Sequence, residues 1–140
     1  MGRILAIDYG TKRTGLAVTD PLRLIAGALA TVETKQLERY LAEYFAKNDV
    51  DVIVVGKPSQ MSGKPSETMR FIEPLAGRLR HAYPEKQVVL YDERFTSVMA
   101  HRTMLESGIG KKARQDKALV DRTAATIILQ SYMESLELQR

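Results

Sequence analysis

The stretch Ile4-Leu5-Ala6-Ile7-Asp8-Tyr9-Gly10-Thr11-Lys12-Arg13-Thr14-Gly15-Leu16-Ala17-Val18-Thr19 decides the reading of this chain. Its first four residues form a continuous apolar run, the pattern of a strand covered on both faces. A carboxylate follows at once, then a glycine-bearing turn, then a second apolar run at Leu16–Thr19. Leu24–Val32 reads as a third strand after another short break, so the first third of the chain is predicted to be an antiparallel meander.

Working outward, Val52–Val55 and Val88–Tyr91 repeat the continuous apolar pattern. Between them lie helical periodicities. Leu37, Tyr40, Leu41, Tyr44 and Phe45 make one stripe that ends near Asn48. Ser66 is a candidate N-cap for a second helix, with Met69, Ile72, Leu75, Ala76 and Leu79 inward and Pro74 expected to kink it. A third helix is predicted from Thr96 or Ser97 to Gly108, and a fourth from about Gln115 to about Leu136. The order is β-β-β-α-β-α-β-α-α. Right-handed crossovers make the last two strands parallel to the first, which predicts a mixed five-stranded sheet of order 3-2-1-4-5 with helices on both faces, an α/β fold. The first strand is then central, and its carboxyl end opens where ligands of open α/β sheets bind.

The chain has 140 residues, 44% hydrophobic and 27% charged, which fits one soluble domain over 1–140. It has no cysteine, which excludes a disulfide scaffold, a thiolate zinc site and a cysteine nucleophile. The net charge of +4 suits a polyanionic partner without demanding one. No apolar run approaches the ~18 residues of a membrane span. Ile4–Ile7 is too short for a signal-peptide core, and Ala6 does not fit a myristoylation signal. The expected location is the cytoplasm, with no membrane contact.

Asp8 leaves the central strand, where a carboxylate needs a partner or a cation; a turn cap and a metal ligand both fit it. Gly10 and Gly15 have P-loop spacing, but Leu16-Ala17 follows instead of Lys-Ser/Thr, so the segment reads as strand–turn–strand with Lys12 and Arg13 turned outward. Asp92 and Glu93 end another strand, and alternation lets only one of them face a given site. Asp121 shares a helix face with Ala118, Ala125, Ile128 and Tyr132, an otherwise apolar stripe on which a bare charge costs several kcal/mol; a cation or an ion pair with Arg94 satisfies it. Asp116 lies off that face. Three acids on three elements, with His81 and His101 lacking partner spacing, suit Mg²⁺ or Mn²⁺ better than zinc. No aromatic RNA-reading motif stands out.

Four motifs occur in order: Gly2 to Asp20, then Val54-Val55-Gly56-Lys57-Pro58 with Met61 and Gly63, then Asp92-Glu93-Arg94-Phe95-Thr96-Ser97, then Lys117 to Gln130. On these the chain resembles the YqgF/RuvX family, Holliday-junction-resolvase-like or pre-16S rRNA-processing nucleases of the RNase H-like superfamily, over nearly its whole length. The resemblance implies an RNase H-like fold and a catalytic, metal-binding set of Asp8, Glu93 and Asp121. Two departures are visible. Lys57 replaces the leucine of the family's usual Gly-Leu-Pro, and Val55-Gly56-Lys57 offers no acid where related resolvases take their middle one.

The resemblance implies hydrolysis of phosphodiesters with Mg²⁺ or Mn²⁺. Lys12, Arg13, Lys57, Arg94, Lys111, Lys112 and Arg114 are the candidates to hold backbone phosphates. A pre-16S rRNA 5′ end is the favoured substrate, ribosomal particles are candidate partners, and branched DNA is the second substrate. A monomer or weak dimer is expected. The rival from another class is a non-catalytic nucleic-acid or ribosome-binding module that uses its acids structurally. An actin-like ATPase, suggested by Asp8-Tyr9-Gly10-Thr11, needs a second similar domain for which 140 residues leave no room.

Overall fold

The computed structural model describes residues 2–57, 69–92 and 117–138, the last segment as backbone alone at 117–123 and 137–138. The strands are β1 (Arg3–Asp8), β2 (Arg13–Thr19), β3 (Ala26–Glu33), β4 (Val50–Lys57) and β5 (Gln87–Asp92). A 3₁₀ turn at Thr34–Gln36 leads into α1 (Leu37–Lys47); α2 spans Met69–Ala82 and α3 spans Lys117–Leu138. The five strands form one sheet in the order β3-β2-β1-β4-β5, the order expected from the sequence. β1 pairs antiparallel with β2 and parallel with β4, and β5 runs parallel to β4.

Period-2 alternation in the two central strands divides the core. Leu5, Ile7, Ile53 and Val55 point to one face, where they meet Leu37 and Leu41 of α1 and Ile72, Leu75 and Leu79 of α2. Ile4, Ala6, Val52 and Val54 point to the other, with Ala17 of β2, and meet Ala125, Ile128, Leu129 and Tyr132 of α3. The alanines on this second face let α3 come close, and it lies across β1, β2 and β3. Every central-strand side chain from Ile4 to Ile7 is thus buried, which is why the run reads as continuous rather than alternating.

One expectation shifts. β3 starts at Ala26, not Leu24, because the Asp20 carboxylate accepts the backbone N–H groups of Leu22, Leu24 and Ile25 and folds those residues into a turn. Arg23 takes a positive φ of 58° there, held by its own Nε–H on the Gly2 carbonyl and its guanidinium on Asp51. Helix α2 runs unbroken through Pro74, which stands on the exposed side. The Ser66 cap, the helix from Thr96 or Ser97 and the Gln115 start lie outside the described residues.

Candidate nucleic-acid cleavage site

β1, β4 and β5 all end at the same edge of the sheet, and Asp8 is the last residue of β1. In register, Asp8 stands opposite Gly15, and Gly15 stands opposite Thr31. Residues directly opposed across a sheet share a face. The three therefore form a row across β1, β2 and β3 on the α3 side, and the middle member has no side chain. The result is a cleft of about 290 Å³ lined by Asp8, Gly15 and Thr31 together with Lys12 and Arg13.

The turn that carries the two cations is closed from the α1 side. Thr34 donates its hydroxyl to the Gly10 carbonyl (2.5 Å), which leaves Thr14 as the donor to Thr34 Oγ1 (2.9 Å). The Thr34 amide donates to the Lys12 carbonyl at 2.9 Å. The turn is so tight that a Cβ at Gly10 would collide with the Arg13 carbonyl oxygen. Lys12 and Arg13 are both exposed, and neither makes an ion pair among the described residues.

Of the two neighbouring acids that follow Tyr91, the described residues include Asp92 alone. Tyr91 faces α3, where its hydroxyl meets Ser131 Oγ at 2.6 Å. Alternation turns Asp92 to the opposite, α1/α2 face. Lys57 is paired with Asp92 in register and leaves β4 on that same α1/α2 side, away from Asp8. In α3, Ala125, Ile128 and Tyr132 form the buried stripe read from the sequence. Asp121 is in the same helix one turn before Ala125, its side chain beyond the described set. Glu93, Arg94, Lys111, Lys112, Arg114 and Asp116 lie outside the described residues.

No three His, Cys, Asp or Glu side chains converge as a metal cluster among the described residues. What is described fits a hard cation nonetheless. Apart from the cations Lys12 and Arg13, the side chains around the cleft offer oxygens only. Thr31 Oγ1 is buried with no hydrogen-bond partner among the described residues. An orphaned buried hydroxyl costs about 1–3 kcal/mol, and oxygen is the donor type that Mg²⁺ and Mn²⁺ take.

Two features were missed from the sequence. Thr31 and Thr34 look like ordinary β-formers there, because their roles depend on cross-strand register. The ring of Tyr9 stacks on that of Phe71 of α2 with centroids 6.5 Å apart. Phe71 lies off the inward stripe of α2, and that was the available signal.

A family model described as "RuvX: Holliday junction resolvase" matches residues 2–135. This chain belongs to the RuvX family. It is 56% identical over 135 residues to a Bacteroides thetaiotaomicron protein named "Putative pre-16S rRNA nuclease", covering 96% of this chain and 98% of that one. A Parabacteroides distasonis protein of the same name is 52% identical over 139 residues, covering 99% of each. Among solved structures, Thermus thermophilus RuvC in complex with a Holliday junction substrate superposes with a TM-score of 0.57 at 18% identity, covering 96% of both chains. That likeness confirms the RNase H-like fold expected for a RuvX-family chain.

Proposed function

We propose that this RuvX-family chain is a divalent-metal-dependent endonuclease that hydrolyses phosphodiester bonds of RNA in 5′-end maturation of pre-16S rRNA. One observation carries the proposal. Asp8 stands at the carboxyl end of the central strand, beside side-chain-free Gly15 and the buried hydroxyl of Thr31, with Lys12 and Arg13 at the rim. The near-full-length relatives named for pre-16S rRNA support RNA as the substrate.

In this reading Asp8, Glu93 and Asp121 hold Mg²⁺ or Mn²⁺. Such a cation, when bound, lowers the pKa of a water and offsets charge on the phosphate. Asp8 supplies fixed negative charge at the point where β1 cannot move without disturbing the core. With Asp92 turned to the other face, Glu93 is the acid of that pair assigned to the site. Gly15 leaves room for a phosphate between β1 and β3. Lys12 and Arg13 hold the backbone on the β2 side, and Lys57 holds it on the α2 side. Arg94, Lys111, Lys112 and Arg114 are assigned further phosphates. Cleavage of branched DNA is the second reading, favoured by the family description. The cytoplasm remains the proposed location; among the described residues no helix is long and apolar enough to cross a membrane.

The test is a gel assay with Mg²⁺ or Mn²⁺ on a pre-16S rRNA 5′-end fragment and on a four-way DNA junction. RNA cleavage that Asp8→Asn abolishes is the expected result. Cleavage of the junction alone selects the second reading. Cleavage unchanged in Asp8→Asn removes the site. A companion melt separates the binding module from the nuclease: Mg²⁺ or Mn²⁺ raises the Tm of the parent chain and not of Asp8→Asn.

A further inference from the structure

Four large apolar side chains are exposed among the described residues: Leu22, Leu24, Ile25 and Phe71. The first three crown the β2–β3 turn, at the opposite edge of the sheet from Asp8. Phe71 is different, because its ring reaches the edge where Asp8 lies. It is 40% exposed, while Ile72, Leu75, Ala76 and Leu79 of the same helix are buried. The core therefore has no need of an aromatic ring at position 71.

The partner of Phe71 is Tyr9, the residue directly after Asp8. The two rings lie 6.5 Å apart between centroids and 26° from parallel. Tyr9 is half-buried and packs on the core shared with α1 and α2, so its orientation is fixed. The Arg70 guanidinium sits 5.2 Å from the Phe71 ring centre, and Lys12 follows Tyr9 on the clamped turn. Lys57 ends the neighbouring strand on this same side of the sheet. Flat rings interleaved with cations are the recognition chemistry of single-stranded nucleic acid, since every base offers a π-face and every linkage a phosphate.

We infer that Tyr9 and Phe71 form a stacking platform for an unpaired nucleobase on the α1/α2 face, at the sheet edge where Asp8 ends β1, with Arg70 and Lys57 on the flanking phosphates. The inference rests on the nuclease reading and sharpens its substrate class. A base inside a duplex already has both faces stacked. Only an unpaired one has a face to offer Phe71. The platform thus selects RNA with single-stranded nucleotides flanking the cleavage point over continuous duplex.

The experiment measures binding in Asp8→Asn, without divalent metal, so that no substrate is cut. The probes are a single-stranded RNA 12-mer carrying one 2-aminopurine and the blunt duplex of the same sequence. The parent is expected to bind the single strand more tightly and to quench the 2-aminopurine by stacking. Phe71→Ala is expected to raise Kd by about 5- to 100-fold, the range of one base–aromatic stack, and to lose the quench. Phe71→Leu keeps the apolar bulk and loses the flat ring, and is expected to behave like Phe71→Ala; Phe71→Trp is expected to retain binding. Thermal melts of each variant confirm that it is folded. Unchanged Kd and quench in Phe71→Ala and Phe71→Leu, with Lys12→Gln still weakening binding, overturn the platform and leave the nuclease reading intact. Equal affinity for the blunt duplex also overturns it. Failure of the parent to bind RNA at all removes both. A shift from dimer to monomer in Phe71→Ala, seen by light scattering with RNA affinity unchanged, assigns the ring to a second copy and overturns the base.

Discussion

Thr34 donates its hydroxyl to the Gly10 carbonyl at 2.5 Å, a bond that ties the start of the α1 segment to the turn behind Asp8. Through Thr14 Oγ1 and the Lys12 carbonyl the same residue touches that turn twice more. The bonds hold Lys12 and Arg13 at the cleft while their side chains stay in solvent. Thr34→Val keeps the shape and removes the hydroxyl. It should lower unfolding stability by about 1–2 kcal/mol, seen as a Tm drop of about 3–7 °C. Thr34→Ser should restore most of it. RNA affinity should fall in the valine variant and recover in the serine variant; a Tm drop without any change in affinity would separate the clamp from binding.

Thr31 offers the opposite signature. Its Oγ1 is buried without a partner among the described residues, so Thr31→Val removes a desolvated polar atom and keeps the volume. Stability should rise by up to about 1 kcal/mol, measured by urea unfolding at constant slope. Metal-dependent cleavage should fall, because Thr31 stands in the row that holds Asp8. A residue that costs stability and supports activity is what a functional site is expected to contain. A variant both more stable and fully active would assign Thr31 to packing alone.

Much of this fold is legible in particular residues. Ile4–Ile7 and Val52–Val55 announce buried parallel strands because both faces are covered, one by α1 and α2 and the other by α3. The stripe Ala125, Ile128 and Tyr132 announces the face of α3. Leu24 and Ile25 mislead, since their apolar character suggests strand while the Asp20 carboxylate bends them into a turn. The site is less legible. Asp8 stands out because a charge follows four apolar residues. Thr31 does not, because its place beside Asp8 exists only through the register Asp8–Gly15–Thr31. Phe71 meets Tyr9 from a distant part of the chain, a pairing that no local pattern encodes.

Lys12 and Arg13 are exposed and line the cleft, so their contribution to RNA binding is a matter of charge. Taking away one cation that neutralises a phosphate should reduce the salt dependence of binding by slightly less than one in log–log slope. Lys12→Gln and Arg13→Gln should each show that decrease, with affinity down about equally for all RNA sequences. Lys47, at the end of α1, supplies the control: Lys47→Gln should leave the slope unchanged. A slope unaltered in both cleft variants would move the phosphate path elsewhere.

The last prediction concerns acid. Asp20 accepts backbone N–H bonds from Ile25, Leu24 and Leu22, and these hold its carboxyl below the ordinary aspartate value. A carboxyl with a depressed folded-state pKa binds a proton less readily folded than unfolded, so the unfolded chain takes up protons first as pH falls. The stabilisation is therefore present in full above the unfolded value of about 4 and is lost as pH drops through the lower folded value. Asp20→Ala removes the acceptor. It should be less stable than the parent at neutral pH, with the gap narrowing below about pH 4 as the parent loses the same bonds. Thermal melts of both chains across the acid-to-neutral range measure it. A gap that stays constant across that range would mean the turn at Leu22–Ile25 is held by Arg23 on Gly2 and Asp51 rather than by the carboxylate.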